Sequence, residues 1–248
     1  VQVFAGTVDT LSRHRAQGGL VILVSNSPRT AAGVASQLAG LGVPASCYDA
    51  IVTSGDVTRT LAVKAGGGKV FHLGHERDVS IFKDLPVRRT KLEEAHAVLC
   101  TGLFDDIHET PADYAALLRQ MRELDLPMIC ANPDVVVERG EQLVYCAGAI
   151  ADLYAAAGGE VIYAGKPYAP IYELAEETIA GIAGRKVPRS EILAIGDGIR
   201  TDMAGAAEFG LDALFVARGL HVGPGGEALD DLRHYDLFDG RKAPRAAT

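Results

Sequence analysis

Short runs of consecutive apolar residues alternate with stretches of helical periodicity along this chain. The run LVILVS, residues 20–25, is apolar until it reaches a polar turn, which is typical of a strand buried on both faces of a parallel sheet. The predicted strands of this kind are residues 20–25, 50–54, 69–74, 191–197 and 213–217, and the predicted helices include 30–41, 56–65 and 203–209. This alternation predicts an α/β fold with a doubly wound parallel sheet, in which helices cover both faces.

The middle of the chain has an alternation of its own. Its predicted elements are, in order, a strand at 96–102, a helix at 110–124, a strand and turn at 127–134, and a strand and helix over 143–159. We therefore expect a smaller α/β domain over residues 74–160, inserted into a core made of residues 1–73 and 161–248. The predicted hinges lie at residues 73–75 and 158–161.

Composition excludes several classes of partner. The 248 residues carry a formal net charge of −8 at pH 7, and an acidic domain repels phosphate backbones, so we expect no nucleic-acid partner. Any phosphate ligand must then be held locally, by a cation or by N–H groups.

The four cysteines show no CxxC or metal-ligand spacing, which predicts free thiols in a reducing cytoplasm. No apolar run approaches the roughly 20 residues of a membrane helix, and no signal peptide is visible, so we expect no membrane partner.

The segment SNSPRT, residues 25–30, lies where an apolar strand gives way to a helix. Hydroxyl groups and helix N–H groups at the carboxyl end of a strand can bind an anion. Ser25 and Asn26 are candidate phosphate ligands, and the N–H of Ser27 is a further donor. The alternative is an ordinary helix cap followed by proline in the first turn.

The segment AGKPY, residues 164–168, places Lys166 between glycine and proline. A lysine on a stiff turn has a directed ammonium group, which suits a fixed counter-charge for a phosphate or a carboxylate nucleophile. The alternative is a solvated lysine in a loop.

The segment GDGIRTD, residues 196–202, contains two carboxylates at the end of an apolar strand. Carboxylate oxygens are hard ligands that suit Mg²⁺. Asp202 could instead be a simple N-cap of the following helix. Asp197 is flanked by glycines and has no obvious packing role, so it is the better candidate for a metal ligand.

All three segments follow predicted strands, at the edge where an open parallel sheet binds its ligands. Together they supply a phosphate cradle, a counter-charge and a metal site. This combination indicates a phosphate-ester site far more specifically than any one segment does.

With these motifs in this order, the chain resembles the haloacid dehalogenase superfamily of phosphohydrolases. More narrowly, it resembles the class IIA branch, which includes pyridoxal-phosphate, nitrophenyl-phosphate and sugar- or nucleotide-phosphate phosphatases. LVILVSNSPRT matches the second motif of the family, AGKPY the third and GDGIRTD the fourth, while ANPD (131–134) and GAIADLY (148–154) resemble its cap region. The resemblance covers essentially the whole chain, and it implies that residues 74–160 form a cap over the site.

The resemblance also implies a role for the residues that bind phosphate. Ser25 would bind the transferred phosphoryl group, with help from Asn26 and Ser27. Lys166 would neutralise charge between the phosphate and the nucleophile.

A second set of roles concerns metal and substrate. The resemblance implies that Asp197 ligates Mg²⁺, with Asp202 supporting it either as a ligand or by holding the site in place. Asn132, Asp134 and Arg29 are candidates for reaching the substrate. Their alternatives are a plain turn for the two NPD residues and a surface position for the arginine.

One departure from the family pattern stands out. The first motif, DxDx, carries the nucleophilic Asp and the acid–base Asp on a strand that should precede Val1. Asp9 does not replace it, because GTVDTLSRH predicts a helix. Either the sequence is part of a longer phosphatase whose nucleophile lies upstream, or the protein has lost its nucleophile and binds phosphate ligands without turnover. The intact motifs downstream favour the first account.

We therefore expect a Mg²⁺-dependent phosphatase that acts on a small phosphomonoester, such as a sugar, nucleotide or cofactor phosphate, through an aspartyl-phosphate. Its partner would be a small phosphorylated metabolite, and a homodimer formed through the cap is an expectation at the level of the family.

The rival function is that of a phosphate-binding or regulatory protein on the same fold. The absence of GxGxxG and GxxxxGKS/T stretches counts against a nucleotide-binding domain. The fold also permits phosphomutase or dehalogenase chemistry.

Overall fold

The computed structural model describes residues 3–4, 6–65, 67–139, 142–216 and 245–246. Its contacts divide the chain into two compact units, Val1–Gly165 and Lys166–Thr248, and each unit has sheets of its own.

The first unit contains five α-helices and nine strands within the described residues. Its helices are α1 (Thr7–Ala16), α2 (Ala31–Gly40), α3 (Ser54–Ala65), α4 (Ala115–Glu123) and α5 (Ala147–Ala156). Its strands are β1 (Ile22–Ser25), β2 (Ala50–Thr53), β3 (Lys69–Leu73), β4 (Arg88–Arg89), β5 (Ala97–Cys100), β6 (Met128–Cys130), β7 (Val136–Arg139), β8 (Gln142–Tyr145) and β9 (Val161–Tyr163).

Two parallel sheets and one antiparallel hairpin organise these strands. β1 pairs with β2, with Ser25 opposite Thr53. The larger sheet has the order β4-β3-β5-β6-β9 and is parallel throughout. β7 and β8 form the hairpin. The predicted parallel α/β fold is confirmed, whereas the hairpin strand β7 was not predicted.

The five-stranded sheet is buried on both faces because its residues alternate between two apolar clusters. Val98 and Cys100 of β5 face a cluster that includes Tyr154 of α5. Leu99, the residue between them, packs on the opposite face with Ala62 of α3. Helices therefore cover both faces, as expected for parallel strands whose successive side chains point in opposite directions.

This sheet extends past both predicted boundaries of the inserted domain. β3 and β9 lie outside residues 74–160, and yet they pair with β5 and β6, respectively. Hydrophobic periodicity identified both strands, but it cannot tell which sheet a strand joins, since that depends on pairing with residues far away in sequence. The role of residues 74–160 as a separate cap stays a prediction.

The second unit contains two helices and three strands within the described residues. They are α6 (Ala169–Ala183), β10 (Leu193–Gly196), α7 (Ala204–Phe209), β11 (Asp212–Phe215) and β12 (Arg245–Ala246). The strands form a parallel sheet of order β10-β11-β12. The predicted strand at 191–197 and helix at 203–209 are both present, with slightly shorter bounds.

Two predictions from composition can be compared with the structure. All four cysteines are free and buried. In the part of the chain that the structure describes, every helix is too short or too polar to cross a membrane.

Gly148, in the first turn of α5, packs directly against the loop that follows β6. A Cβ atom at this position would lie 2.2 Å from the carbonyl oxygen of Pro133. We predict that Gly148→Ala lowers the free energy of unfolding by about 1–3 kcal/mol, because the added methyl group overpacks a rigid backbone contact. Urea denaturation measures this change. Gly40→Ala at the end of α2 is the matched control, since a Cβ there meets no atom within 4 Å, and an equal loss in both variants would contradict the prediction.

His72 of β3 makes the stability of the fold depend on pH. Burial lowers its pKa from 6.5 to about 4, and its Nε2 atom lies 2.9 Å from Thr101 Oγ1. Between these two pH values the unfolded chain binds a proton at His72 and the folded protein does not, so stability falls as the pH is lowered from 6.5 to about 4. We predict that His72→Gln makes the unfolding midpoint less dependent on pH in this window. His96→Gln, at an exposed position, should leave the dependence as it is.

Candidate functional site

The loop after β1 presents the first group of candidate residues. β1 ends at Ser25, and α2 begins only at Ala31, with Thr30 as its N-cap residue. Ser25 Oγ accepts a hydrogen bond of 3.2 Å from the N–H of Ser27, and Ser27 Oγ accepts one from the N–H of Arg29. The alternative of an ordinary helix cap followed by proline is therefore wrong, because α2 begins after Pro28 and residues 26–30 form a loop with its own hydrogen bonds.

The start of α3 holds this loop in place, which sequence reasoning missed. The carbonyl oxygen of Ser27 accepts hydrogen bonds from Ser54 Oγ at 2.8 Å and from the N–H of Gly55 at 3.1 Å. A Cβ atom at Gly55 would lie 2.4 Å from the carbonyl oxygens of Pro28 and Arg29, so only glycine permits this approach. The loop is thus fixed through its backbone.

Asp56 supplies the cap that Thr30 does not. Its Oδ2 atom accepts hydrogen bonds from the N–H of Ala31, at 2.9 Å, and from Thr53 Oγ1, at 2.7 Å. A carboxylate near the first N–H groups of α2 also interacts favourably with the helix dipole. Asp56 is therefore structural, and it ties the end of β2 to the start of α2.

Three predicted substrate residues come together beside this loop. Asn26 Nδ2 donates a hydrogen bond of 3.0 Å to Asp134 Oδ1, and the N–H of Asp134 donates to Asn132 Oδ1 at 3.0 Å. Asn26 and Asn132 are both buried. A Cβ atom at Gly165 would lie 2.6 Å from Asn26 Oδ1 and from Pro133 Cδ. The NPD segment lies in the loop after β6, and this loop also fixes the side chain of Asn26. A role for Asn132 and Asp134 in binding substrate stays a prediction.

Arg29 is placed differently. It is exposed, and its guanidinium group donates to Gln37 Oε1 at 3.3 Å along α2. This contact matches the alternative of a surface arginine. A role for Arg29 in binding substrate stays a prediction.

Lys166 and Asp202 form an ion pair in the second unit. Lys166 Nζ lies 2.6 Å from Asp202 Oδ1, and the two side chains are only 14% and 15% exposed. Asp202 Oδ2 accepts a further hydrogen bond of 3.0 Å from the N–H of Gly198. The structure thus directs the ammonium group of Lys166, and the alternative of a solvated loop lysine is wrong.

Two glycines make this arrangement possible. A Cβ atom at Gly196 would lie 2.3 Å from Asp202 Cγ, and one at Gly198 would lie 2.0 Å from Thr201 Oγ1. Asp202 itself lies in a π-helical turn, Ile199–Met203, that precedes α7. Its carboxylate binds the N–H of a residue before that turn, so it is not the simple N-cap of the alternative interpretation.

The loop after β10, residues 196–202, is called the acidic loop here, and its carboxylates have the donor chemistry of a divalent-cation site. Asp197 follows β10 directly and is partly buried. Both oxygens of Asp202 have partners, which fits a carboxylate that holds the site in place better than one that ligates a metal. Among the described residues there is no group of three or more His, Cys, Asp and Glu side chains that could hold a metal ion. Mg²⁺ binds through one or two protein carboxylates together with water and substrate phosphate, so Asp197 with support from Asp202 fits it.

Tyr172 of α6 was not predicted, and it lies close to this loop. Its ring stacks on Phe209 with 5.2 Å between ring centroids, and a Cβ atom at Gly205 would lie 2.1 Å from its hydroxyl oxygen. Burial raises the pKa of Tyr172, and the negative charge of Asp202 raises it further. The hydroxyl therefore stays protonated at neutral pH.

A solved structure of known family identifies the chain. A hydrolase of the haloacid dehalogenase-like family from Brucella suis 1330 is 49% identical, covers 89% of this chain and 84% of its own length, and superposes with a TM-score of 0.83. This chain belongs to the haloacid dehalogenase-like hydrolases. Two family models agree, one described as haloacid dehalogenase-like hydrolase over residues 1–88 and one described as HAD-hydrolase-like over residues 163–234.

More distant structures share the fold of this haloacid dehalogenase-like hydrolase. A hypothetical protein from Pyrococcus horikoshii OT3 is 26% identical, with a TM-score of 0.73 over 99% of this chain and 89% of its own. A 4-nitrophenylphosphatase from Thermotoga maritima is 22% identical, with a TM-score of 0.73 over 99% of this chain and 87% of its own. A search of curated protein sequences gave no match.

We predict that Asp202→Asn destabilises this hydrolase, because it leaves the largely buried ammonium group of Lys166 without its anionic partner. The expected loss is about 1–3 kcal/mol, between the values for exposed and for fully buried pairs. Urea denaturation measures it. Glu208→Gln removes an exposed carboxylate of the same unit and should change the free energy of unfolding by no more than about 0.5 kcal/mol. Equal midpoints for the two variants would show that the ion pair contributes nothing.

Proposed function

We propose that this hydrolase is a Mg²⁺-dependent phosphatase that cleaves a small phosphomonoester. The observation that carries the proposal is the ion pair of Lys166 and Asp202, next to Asp197 at the end of β10. A directed, largely buried cation beside a carboxylate is suited to stabilising the charge of a transferring phosphoryl group. In a protein with a net charge of −8, such local positive charge is what a phosphate ligand requires.

Phosphate binding is assigned to the loop after β1. The hydroxyl group of Ser25 and the amide group of Asn26 would donate hydrogen bonds to phosphoryl oxygens. The N–H of Ser27, which the sequence predicts as a further donor, donates to Ser25 Oγ in this structure. The hydrogen bond from Asn26 to Asp134 supports this assignment, because it holds the amide group in one orientation before a ligand arrives. A donor fixed in advance loses less conformational entropy on binding.

Mg²⁺ is assigned to Asp197, with Asp202 in support. When bound, the cation would polarise the phosphoryl oxygens and offset the charge that develops on them. Lys166 would add a second positive charge on the protein side. The name of the Thermotoga maritima neighbour, 4-nitrophenylphosphatase, agrees with this proposal. We further propose that the chain belongs to the class IIA branch of these phosphatases and that residues 74–160 form a cap over the site.

The attacking carboxylate is proposed to lie upstream of Val1. Asp9, the acidic residue nearest the amino terminus, lies in α1, as predicted, and is exposed. Among the described strands β10 pairs with β11 alone, and the side chains of Leu193 and Ile195 on β10 are 46% and 59% exposed. Strands of a parallel sheet are normally buried on both faces, so this edge of the sheet fits a further strand.

The proposed reaction has two steps. The upstream carboxylate attacks phosphorus and forms an aspartyl-phosphate, while the bond to the ester oxygen breaks and that oxygen takes a proton from a second upstream carboxyl group. Water then gives a proton to the second carboxylate and attacks phosphorus, the bond from phosphorus to the first carboxylate breaks, and inorganic phosphate is released. Through both steps, Ser25 and Asn26 would orient the phosphoryl group, and Lys166 would neutralise its charge.

A phosphate-binding or regulatory protein on the same fold is the second candidate. The observation in its favour is that the described residues contain only a pair of acidic side chains at the loop after β10, and not a complete metal cluster. In either case the partner would be a small phosphorylated metabolite rather than a nucleic acid. Location in the cytoplasm and a homodimer formed through the cap remain proposals.

The test is Mg²⁺-dependent release of 4-nitrophenol from 4-nitrophenyl phosphate, using the protein together with its upstream residues. We predict that Asp197→Asn lowers kcat/KM by about 100-fold or more, as expected for the loss of a group that stabilises the transition state. Glu208→Gln is the matched control and should retain full activity. Unchanged turnover by Asp197→Asn would refute the metal assignment. Binding of inorganic phosphate without any turnover by the wild type would favour the second candidate.

A further inference from the structure

A second cavity lies along the edge of the five-stranded sheet. Its volume is about 730 Å³, which is within the range of small-molecule sites. The ends of three neighbouring strands supply Gly74, Thr90, Lys91 and Phe104, and parallel sheets bind ligands at the carboxyl ends of their strands. None of the residues to which the phosphatase proposal assigns phosphate or metal binding lines this cavity.

The cavity is bordered by three cations in a stretch of four residues. Arg88, Arg89 and Lys91 all line it, and all are exposed. Arg89 donates to both carboxylate oxygens of Glu76, at 2.9 and 3.1 Å. Among the residues that the structure describes, Arg88 and Lys91 have no carboxylate partner, so their charge is available to a ligand. The acidic residues of the lining are Glu76, which pairs with Arg89, and Glu94.

The interior of the cavity is polar and held in place. The Thr90 hydroxyl oxygen is buried and has no hydrogen-bond partner within the described ranges, although almost all buried polar atoms in proteins have one. His72 also lines the cavity and is fixed by the 2.9 Å contact of its Nε2 atom with Thr101 Oγ1. A Cβ atom at Gly74 would lie 2.0 Å from Thr101 Oγ1, so only glycine fits at this position, where it lines the cavity with backbone atoms.

One wall of the cavity is aromatic. Phe71 and Phe104 line it, and Phe104 is 41% exposed. The ring of Phe104 stacks on Tyr114 with 5.7 Å between centroids, which holds it in one orientation. A fixed and partly exposed ring can stack on a flat ligand.

We propose that this cavity binds a phosphorylated small molecule. Arg88 and Lys91 would bind the phosphate groups, the hydroxyl group of Thr90 would gain the partner it lacks, and Phe104 would pack against the organic part of the ligand. Guanidinium groups bind phosphate oxygens in a bidentate manner, which suits this assignment. The cavity shares no residue with the proposed phosphatase site, so the chain would bind phosphate compounds through two sets of residues.

The test is isothermal titration calorimetry of the whole protein with ADP, with inorganic pyrophosphate and with adenosine. The test variant combines Arg88→Gln and Lys91→Gln, and Lys64→Gln, which removes an exposed lysine of α3 outside the cavity, is the matched control. Lys166→Ala is included because ADP can also meet the proposed phosphatase site. Melting temperatures without ligand establish that all variants are folded.

We expect ADP and pyrophosphate to bind the wild type, Lys64→Gln and Lys166→Ala with equal affinity, and the double variant about tenfold or more weakly. Added NaCl should weaken this binding, since screening acts on exposed charges. Tighter binding of ADP than of pyrophosphate places the organic part against Phe104, whereas equal binding assigns the site to phosphate groups alone; both results support the proposal. Binding that the double variant retains, or that only Lys166→Ala loses, would overturn it, as would the absence of binding by the wild type. Failure here would leave the phosphatase proposal intact, since that depends on Asp197 and Lys166.

Discussion

The ion pair between Lys166 and Asp202 determines what the loop after β10 can do. It brings a lysine into a largely buried position in an acidic protein, where an unpaired ammonium group would be costly. The loop must close around Asp202 to make the pair, and it can do so only because Gly196 and Gly198 lack side chains. The same closure leaves Asp197 at the end of the strand. The chemistry assigned to this loop therefore depends on one contact of 2.6 Å and on the two glycines beside it.

Local patterns in the sequence predicted most of the fold and the position of each candidate residue along it. The apolar run that ends in Ser25 is β1, the run before Asp197 is β10, and Asp9 lies in a helix. These predictions succeed because burial on both faces of a parallel strand leaves a continuous apolar signature, and because strand ends are marked by polar turns. The orientation of Lys166 followed from its place between glycine and proline.

The features that sequence reasoning missed all depend on contacts between distant parts of the chain. Gly55 of α3 packs against the loop after β1, and Tyr172 of α6 lies near Asp202. Thr30 is the N-cap residue of α2, and yet the side chain that caps the helix comes from Asp56, which lies beyond β2. β3 and β9 join the sheet of the inserted region because of their pairing partners, which periodicity does not specify. Where a long-range contact determines the position of an element, a local pattern predicts that the helix or strand exists but not what it pairs or packs with.

The central claim is that Lys166 and Asp197 of the second unit act on one phosphoryl group. A double-mutant cycle for binding of inorganic phosphate in the presence of Mg²⁺ tests it most directly, with Asp197→Asn, Lys166→Ala and the combination. If both side chains hold one anion, Asp197 through Mg²⁺ and Lys166 directly, the free-energy losses are not additive, and the combined variant loses less than the sum of the two single variants. Strictly additive losses, or a single variant that binds phosphate as the wild type does, would contradict the account.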